Sequence, residues 1–190
     1  MSKKLKEMPQ FELRIMIIKI DINIQEKLWR TQPKISQQIK LLFKNIILKT
    51  PLQNVILDKK LKNLEISILL TDDQQIKSLN KNYRQKDKPT NILSFPLLDC
   101  QKVKNGNFKN LDLANGNLML GDIALSYQTI FMEAKEQNKI FEHHLAHLAI
   151  HGLLHLIGFD HEKNADAKIM EALEIRILAD MSIKNPYRLI

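Results

Sequence analysis

A single cysteine, Cys100, is all the thiol in this chain, so no intramolecular disulfide can form and a reducing compartment suits it. Cys100 has no activating partner beside it in sequence and reads as an incidental loop residue. No stretch approaches the uninterrupted apolar length of a membrane span. The apolar stretch behind Lys3, Lys4 and Lys6 has the outline of a signal peptide, but Glu12, Arg14 and Lys19 interrupt it and no small-residue cleavage site follows. The expectation is a soluble, cytoplasmic protein without a membrane partner. Internal repeats, low-complexity tracts and linkers are also missing, so the 190 residues read as one domain, 1–190. Acidic side chains are the minority: 21 Asp+Glu face 29 Lys+Arg, a formal charge of +8. That balance favours polyanionic partners, although a lysine-rich proteome would produce it too.

Phe11 to Ile24 is Ile-rich and loosely alternating, which predicts a strand. Between Pro33 and Leu48, Ile35, Ile39, Leu42, Phe43, Ile46 and Ile47 recur at helical spacing with lysines between them, giving an amphipathic helix with a basic outer face. Glu65 to Leu70 predicts a strand. Thr71 and Asp72 can then cap a helix reaching to about Tyr83, with Ile76 and Leu79 inward. Arg84 to Pro89 is polar and turn-like, and Thr90 to Phe95 reads as a short strand stopped by Pro96. Residues 99–117 hold Gly/Asn-rich clusters and few apolar positions, the mark of a long mobile loop. Leu118 to Leu125 is a strand candidate broken by Gly121-Asp122. Helices follow at Ser126 to Asn138, Phe141 to Leu156 and Asp166 to Met181, the second apolar enough to be buried. The expected fold is α+β: a small mixed sheet of about four strands packed against several helices.

All six histidines fall between His143 and His161. His151 and His155, four apart on a helix, project from one face, close enough for two imidazole nitrogens to reach one zinc. A third ligand needs the chain to turn back, and Gly158 stands where a left-handed residue would end the helix and lead through Asp160 to His161. The run H-G-L-L-H-L-I-G-F-D-H matches the metalloprotease signature H-E-x-x-H-x-x-G-x-x-H in all but one position, the general-base glutamate being Gly152 here. The reading is one Zn2+ per chain on His151, His155 and His161, on a buried C-terminal helix and the turn after it, with an open position for water. Packing or capping histidines are the plain alternative. A fourth ligand at His147 would close the open position, so His147, with His143 and His144, is assigned to second-shell, groove-lining or packing roles.

These residues resemble the YbeY family of ribosomal-RNA maturation endoribonucleases. The resemblance runs from about Leu64 onward and is carried by HGLLHLIGFDH, preceded by His144 and His147; by LNKNYRQKDKPTNILSFP from Leu79 to Pro96; by LGDI at Leu120 to Ile123; and by MEALEIRIL from Met170 to Leu178. It implies a hydrolytic metal on the three histidines and a functional arginine at Arg84. A guanidinium beside such a metal would bind two phosphoryl oxygens as charge builds on them; otherwise Arg84 closes its helix in a surface ion pair. Two positions depart from the family pattern: Asn91 replaces the usual Asp, and Phe159 the usual Tyr. Asp160 either holds a ligand imidazole or caps its turn. Glu171 and Glu174 either reach back to the site or form a solvated, salt-bridged face. Thr90, Ser94 and Phe95 line a groove wall, with core packing the other fate for Phe95.

The resemblance implies a zinc-dependent, single-strand-specific endoribonuclease acting on RNA, namely the 3′ region of small-subunit ribosomal RNA, in ribosome biogenesis and quality control, with no DNA substrate expected. Alternatives are an RNA-binding ribosome-assembly factor with a structural zinc, and a small-molecule metallohydrolase.

Overall fold

The computed structural model describes residues 16–57, 60–99, 103, 105–108, 111, 113 and 115–187. Strand β1 (Ile17–Ile24) leads through a short 3-10 turn into α1 (Ile35–Lys49) and α2 (Leu52–Ile56). β2 (Asn63–Thr71), α3 (Asp73–Arg84), β3 (Ile92–Pro96) and β4 (Asn117–Ser126) follow, and α4 (Tyr127–Glu136), α5 (Phe141–Leu156) and α6 (Asn164–Asp180) close the chain. The sheet is mixed, with order β1-β2-β4-β3. β1, β2 and β4 are parallel, and β3 runs antiparallel along β4. The single α+β domain therefore matches the sequence expectation. Phe11 to Ile15, the start of the expected first strand, and Cys100 lie outside the described residues.

Periodicity decides each layer. β2 alternates, with Leu64, Ile66, Ile68 and Leu70 buried and the residues between them partly exposed. That apolar face meets the stripe Ile35, Ile39, Phe43, Ile46 and Ile47 of α1 in one core. α1 thus forms the crossover that parallel β1 and β2 require. Asp72 caps α3 by accepting from the Gln75 N–H at 2.7 Å. Ile76 of α3 packs on Leu93 and Ala124, on the other face of the sheet. α5 is buried almost all round and lies on β3 and β4. No helix among the described residues is long and apolar enough to cross a membrane.

Two details differ from the pattern reading. Strand β4 is not broken at Gly121-Asp122. Glu65 faces Met119 while Ser67 faces Asp122, so β4 carries one extra residue, a β-bulge. Gly121 sits there with φ +133°, and a Cβ on it would lie 2.1 Å from the Phe95 carbonyl oxygen. The described part of the 99–117 loop docks on the end of α5: the Gly106 and Asn105 N–H groups donate to the Ile157 and Gly158 carbonyls at 3.0 and 2.9 Å. Terminal carbonyls of α5 thereby gain partners that the helix itself cannot supply.

Gly121→Ala is expected to cost about 3 kcal/mol, combining backbone strain with the clash on β3, measured as a drop in the urea midpoint at unchanged slope.

Candidate metal centre

His151 and His155 leave α5 one turn apart, and their ring centroids lie 4.6 Å from each other. Each has its Nδ1 engaged. That of His155 faces the Phe159 carbonyl oxygen at 3.1 Å, and that of His151 faces Glu174 Oε1 at 2.9 Å. Both acceptors lack a proton, so each Nδ1 is the donor and each Nε2 is left with its lone pair. The two Nε2 atoms converge to 3.1 Å. Gly158 takes φ +81° immediately after the helix and swings the chain back. His161 then stands 5.3 Å and 5.0 Å, ring to ring, from His151 and His155. One ligand atom from each of the three lies within 4.8 Å of the others. Burial first, and then the neighbouring His151 and His161, hold the His155 imidazole down to about 4, neutral at physiological pH. Three imidazoles whose ring nitrogens converge fit a divalent borderline-soft cation.

Glu174 is the residue on which this arrangement hangs. Its carboxylate has no solvent exposure. Oε1 takes His151; Oε2 takes His147 Nε2 at 3.3 Å and the Tyr187 hydroxyl. Burial alone would raise its pKa, but the hydrogen bonds from His147, His151 and Tyr187 outweigh it and hold the group down to about 2. The Tyr187 hydroxyl is pushed upward, first by burial and then by the carboxylate beside it. Of the two fates open to Glu174, reaching back to the histidines is the one found. Its signal in the sequence is its place in the apolar stripe of α6, between Met170 and Ile177-Leu178, all buried. Glu171 has no side-chain hydrogen bond or ion pair to another described residue. Tyr187 carried no sequence signal at all.

The other candidates separate clearly. His147 touches Glu174 and Tyr187 and reaches the triad only through that carboxylate. Asp160 caps the turn, its Oδ1 accepting from the His161 N–H at 2.7 Å, and the ring it was considered for is held by Phe159 instead. Ser94 is buried where β3 meets α5, its hydroxyl donating to the Gly152 carbonyl at 3.1 Å. Arg84, the last residue of α3, places Nη2 3.5 Å from the Ser94 carbonyl oxygen, so its guanidinium reaches β3. Thr90 is half-buried and bonds Asn91. Phe95 points to the opposite face of the sheet and packs edge-on against Tyr83, 5.1 Å away. Gly152 explains the missing glutamate: a Cβ there would lie 2.5 Å from Ile92 Cδ1 and 3.1 Å from Ser94 Oγ.

A second polar cluster was not foreseen. The Asn91 amide nitrogen donates to both oxygens of Glu133 at 3.1 and 3.0 Å, and Glu133 Oε2 lies 2.7 Å from Nε2 of the buried His144. Burial pushes Glu133 up, yet the hydrogen bonds from His144 and Asn91 leave its pKa below the usual value. Asn91 thus supplies a donor where an aspartate would bring a second negative charge.

Asn91→Asp should cost about 2 kcal/mol at neutral pH, because a donor to a carboxylate becomes a like charge. The new pair holds one folded-state carboxyl pKa above its unfolded value. The deficit should therefore shrink as pH falls through the carboxylate range; urea unfolding at pH 7 and pH 4 measures it.

The family model described as Endoribonuclease YbeY matches residues 23–182. The Endoribonuclease YbeY of Bradyrhizobium diazoefficiens is 51% identical over 130 residues, covering 68% of this chain and 67% of that protein. That of a second Bradyrhizobium strain is 48% identical over 130 residues, 68% of this chain and 73% of its own length. A solution structure from Thermotoga maritima aligns with 91% of this chain at 20% identity and a TM-score of 0.49. The family match runs from the end of β1 to just beyond α6, so it takes in the elements that bring the three histidines together, and the chain belongs to the endoribonuclease YbeY family.

Proposed function

We propose that this protein is a zinc-dependent endoribonuclease that cuts single-stranded RNA, with the 3′ region of small-subunit ribosomal RNA in the cytoplasm as its target, in ribosome maturation and quality control. The observation that carries the reading is the convergence of His151, His155 and His161, with two of the rings locked from behind by Glu174 and Phe159. His161 is exposed and the other two rings are part-exposed, so the cluster is open on one side. No fourth His, Cys, Asp or Glu joins the three among the described residues. A structural zinc would ask for four protein ligands; three ligands with an open side are the catalytic pattern.

Bound there, zinc supplies Lewis acidity toward a phosphoryl oxygen and a means of generating a nucleophile near neutral pH. The chain's own groups do the rest. Glu174 and Phe159 keep the imidazoles oriented. Arg84, at the end of α3 with its guanidinium on the edge strand that packs against the helix of the histidines, is the cation for the non-bridging oxygens on which charge accumulates. The net charge of +8 draws a polyanion to the surface. Peptide hydrolysis is disfavoured, since position 152 is glycine and carries no carboxylate base.

His155→Ala should lose the metal, checked by zinc per chain, and lower the melting temperature. Full zinc content in the variant would overturn the ligand assignment. Arg84→Ala should keep the metal and lower the cleavage rate on single-stranded RNA by about 10²–10³-fold. Undiminished cleavage would make Arg84 a structural residue.

A further inference from the structure

We propose that the pocket between the α4–α5 turn, the first half of α5 and the segment after α6 is a subsite for a nucleotide flanking the scissile phosphate of single-stranded RNA. This rests on the nuclease reading above and adds to it where the substrate lies. The pocket measures about 530 Å³, within the range that encloses a small organic ligand.

Its lining is divided as a nucleotide is divided. Ile140, Ile183 and Pro186 offer an apolar surface for a base or ribose, while Lys139, Lys184 and His143 supply cationic or donor groups. No carboxylate lines it among the described residues. His144 and His147 also line it, but their Nε2 atoms are taken by Glu133 and Glu174, so they act as fixed walls. Lys184 is exposed and makes no hydrogen bond or ion pair to a described residue. It is therefore available to a phosphate.

The pocket shares helix α5 with the candidate metal site. His147 lines it and lies one turn, about 6 Å at 1.5 Å per residue, before His151. Tyr187 marks the boundary. Its hydroxyl is anchored on Glu174, and its ring, 43% exposed, stands edge-on to His147 at 5.5 Å. An exposed aromatic residue pinned by its hydroxyl is a platform on which a base can stack.

The test reads binding rather than turnover. The initial anisotropy of a labelled single-stranded oligoribonucleotide, read before cleavage accumulates, is followed across a salt series for the full-length wild type, Lys184→Gln and Lys19→Gln. Lys19 sits on the face of the sheet away from α5 and is the control. Lys184→Gln should weaken binding and reduce the log–log salt slope by about 0.7, one single-strand phosphate contact, and Lys19→Gln should leave the slope unchanged. An unaltered slope in Lys184→Gln, or an equal drop in both variants, would overturn the subsite. Tight binding by a wild type that never cleaves RNA would instead count against the nuclease reading, with the slope comparison still deciding the pocket.

Discussion

A carboxylate with no access to water has to be compensated where it sits, and Glu174 imposes that condition on everything around the three histidines. An isolated buried charge costs several kcal/mol even after relaxation, so its donors are not optional. They come from two separate parts of the chain: His147 and His151 from α5, and Tyr187 from the segment after α6. Satisfying one acceptor thus fixes the register of α6 on α5, folds the C-terminal segment back over both and locks the His151 ring with its Nε2 facing outward. The free energy that stabilises the helix pair and the orientation needed for a metal ligand are the same hydrogen bonds.

α5 has to be core and site at once. Most of its residues are buried, yet a stripe of histidines runs down it, and the polar ends of those rings need partners in an apolar setting. Each ring has one nitrogen answered by a neighbour: His144 by Glu133 of α4, His147 and His151 by Glu174 of α6, His155 by the backbone just beyond the helix. The neighbours are therefore specified by polarity as well as by shape. Where the helix ends, Gly158 and the docked turn at Asn105-Gly106 resolve carbonyls that would otherwise be stranded beside the site.

Much of this was legible because it is local. The spacing of His151, His155 and His161 with Gly158 in register predicts a turn geometry, and α5 runs from Phe141 to Leu156 as its apolar run indicates. Strand β2 and helix α3 follow from alternation and an Asp72 cap for the same reason. What was not legible depends on pairing across the fold. That β1 and β2 are parallel, that β4 carries its bulge at Gly121, and that Asn91 and His144 meet at Glu133 are contacts between residues tens of positions apart. Glu174 lies between these cases. A carboxylate in the apolar stripe of α6 signals an internal partner, but nothing local says that the partner is His151.

Gly152 links the ligand geometry to the kind of substrate it suits. The spacing of the histidines is that of a protease helix, but this helix lies so close to β3 that a Cβ at 152 would meet Ile92 and Ser94. That close approach is held by the Ser94 hydroxyl on the Gly152 carbonyl, and the Ser94 carbonyl in turn faces the Arg84 guanidinium. Bringing the strand in thus crowds the place where a carboxylate base would stand, and the backbone of the same strand takes the Arg84 guanidinium. A carboxylate at that point would serve water attacking a neutral amide and would repel a phosphodiester. A guanidinium does the reverse, offering paired donors to the oxygens of an anion whose charge grows during cleavage. One close approach between a helix and an edge strand therefore accounts for the glycine at position 152, where the protease helix carries its base.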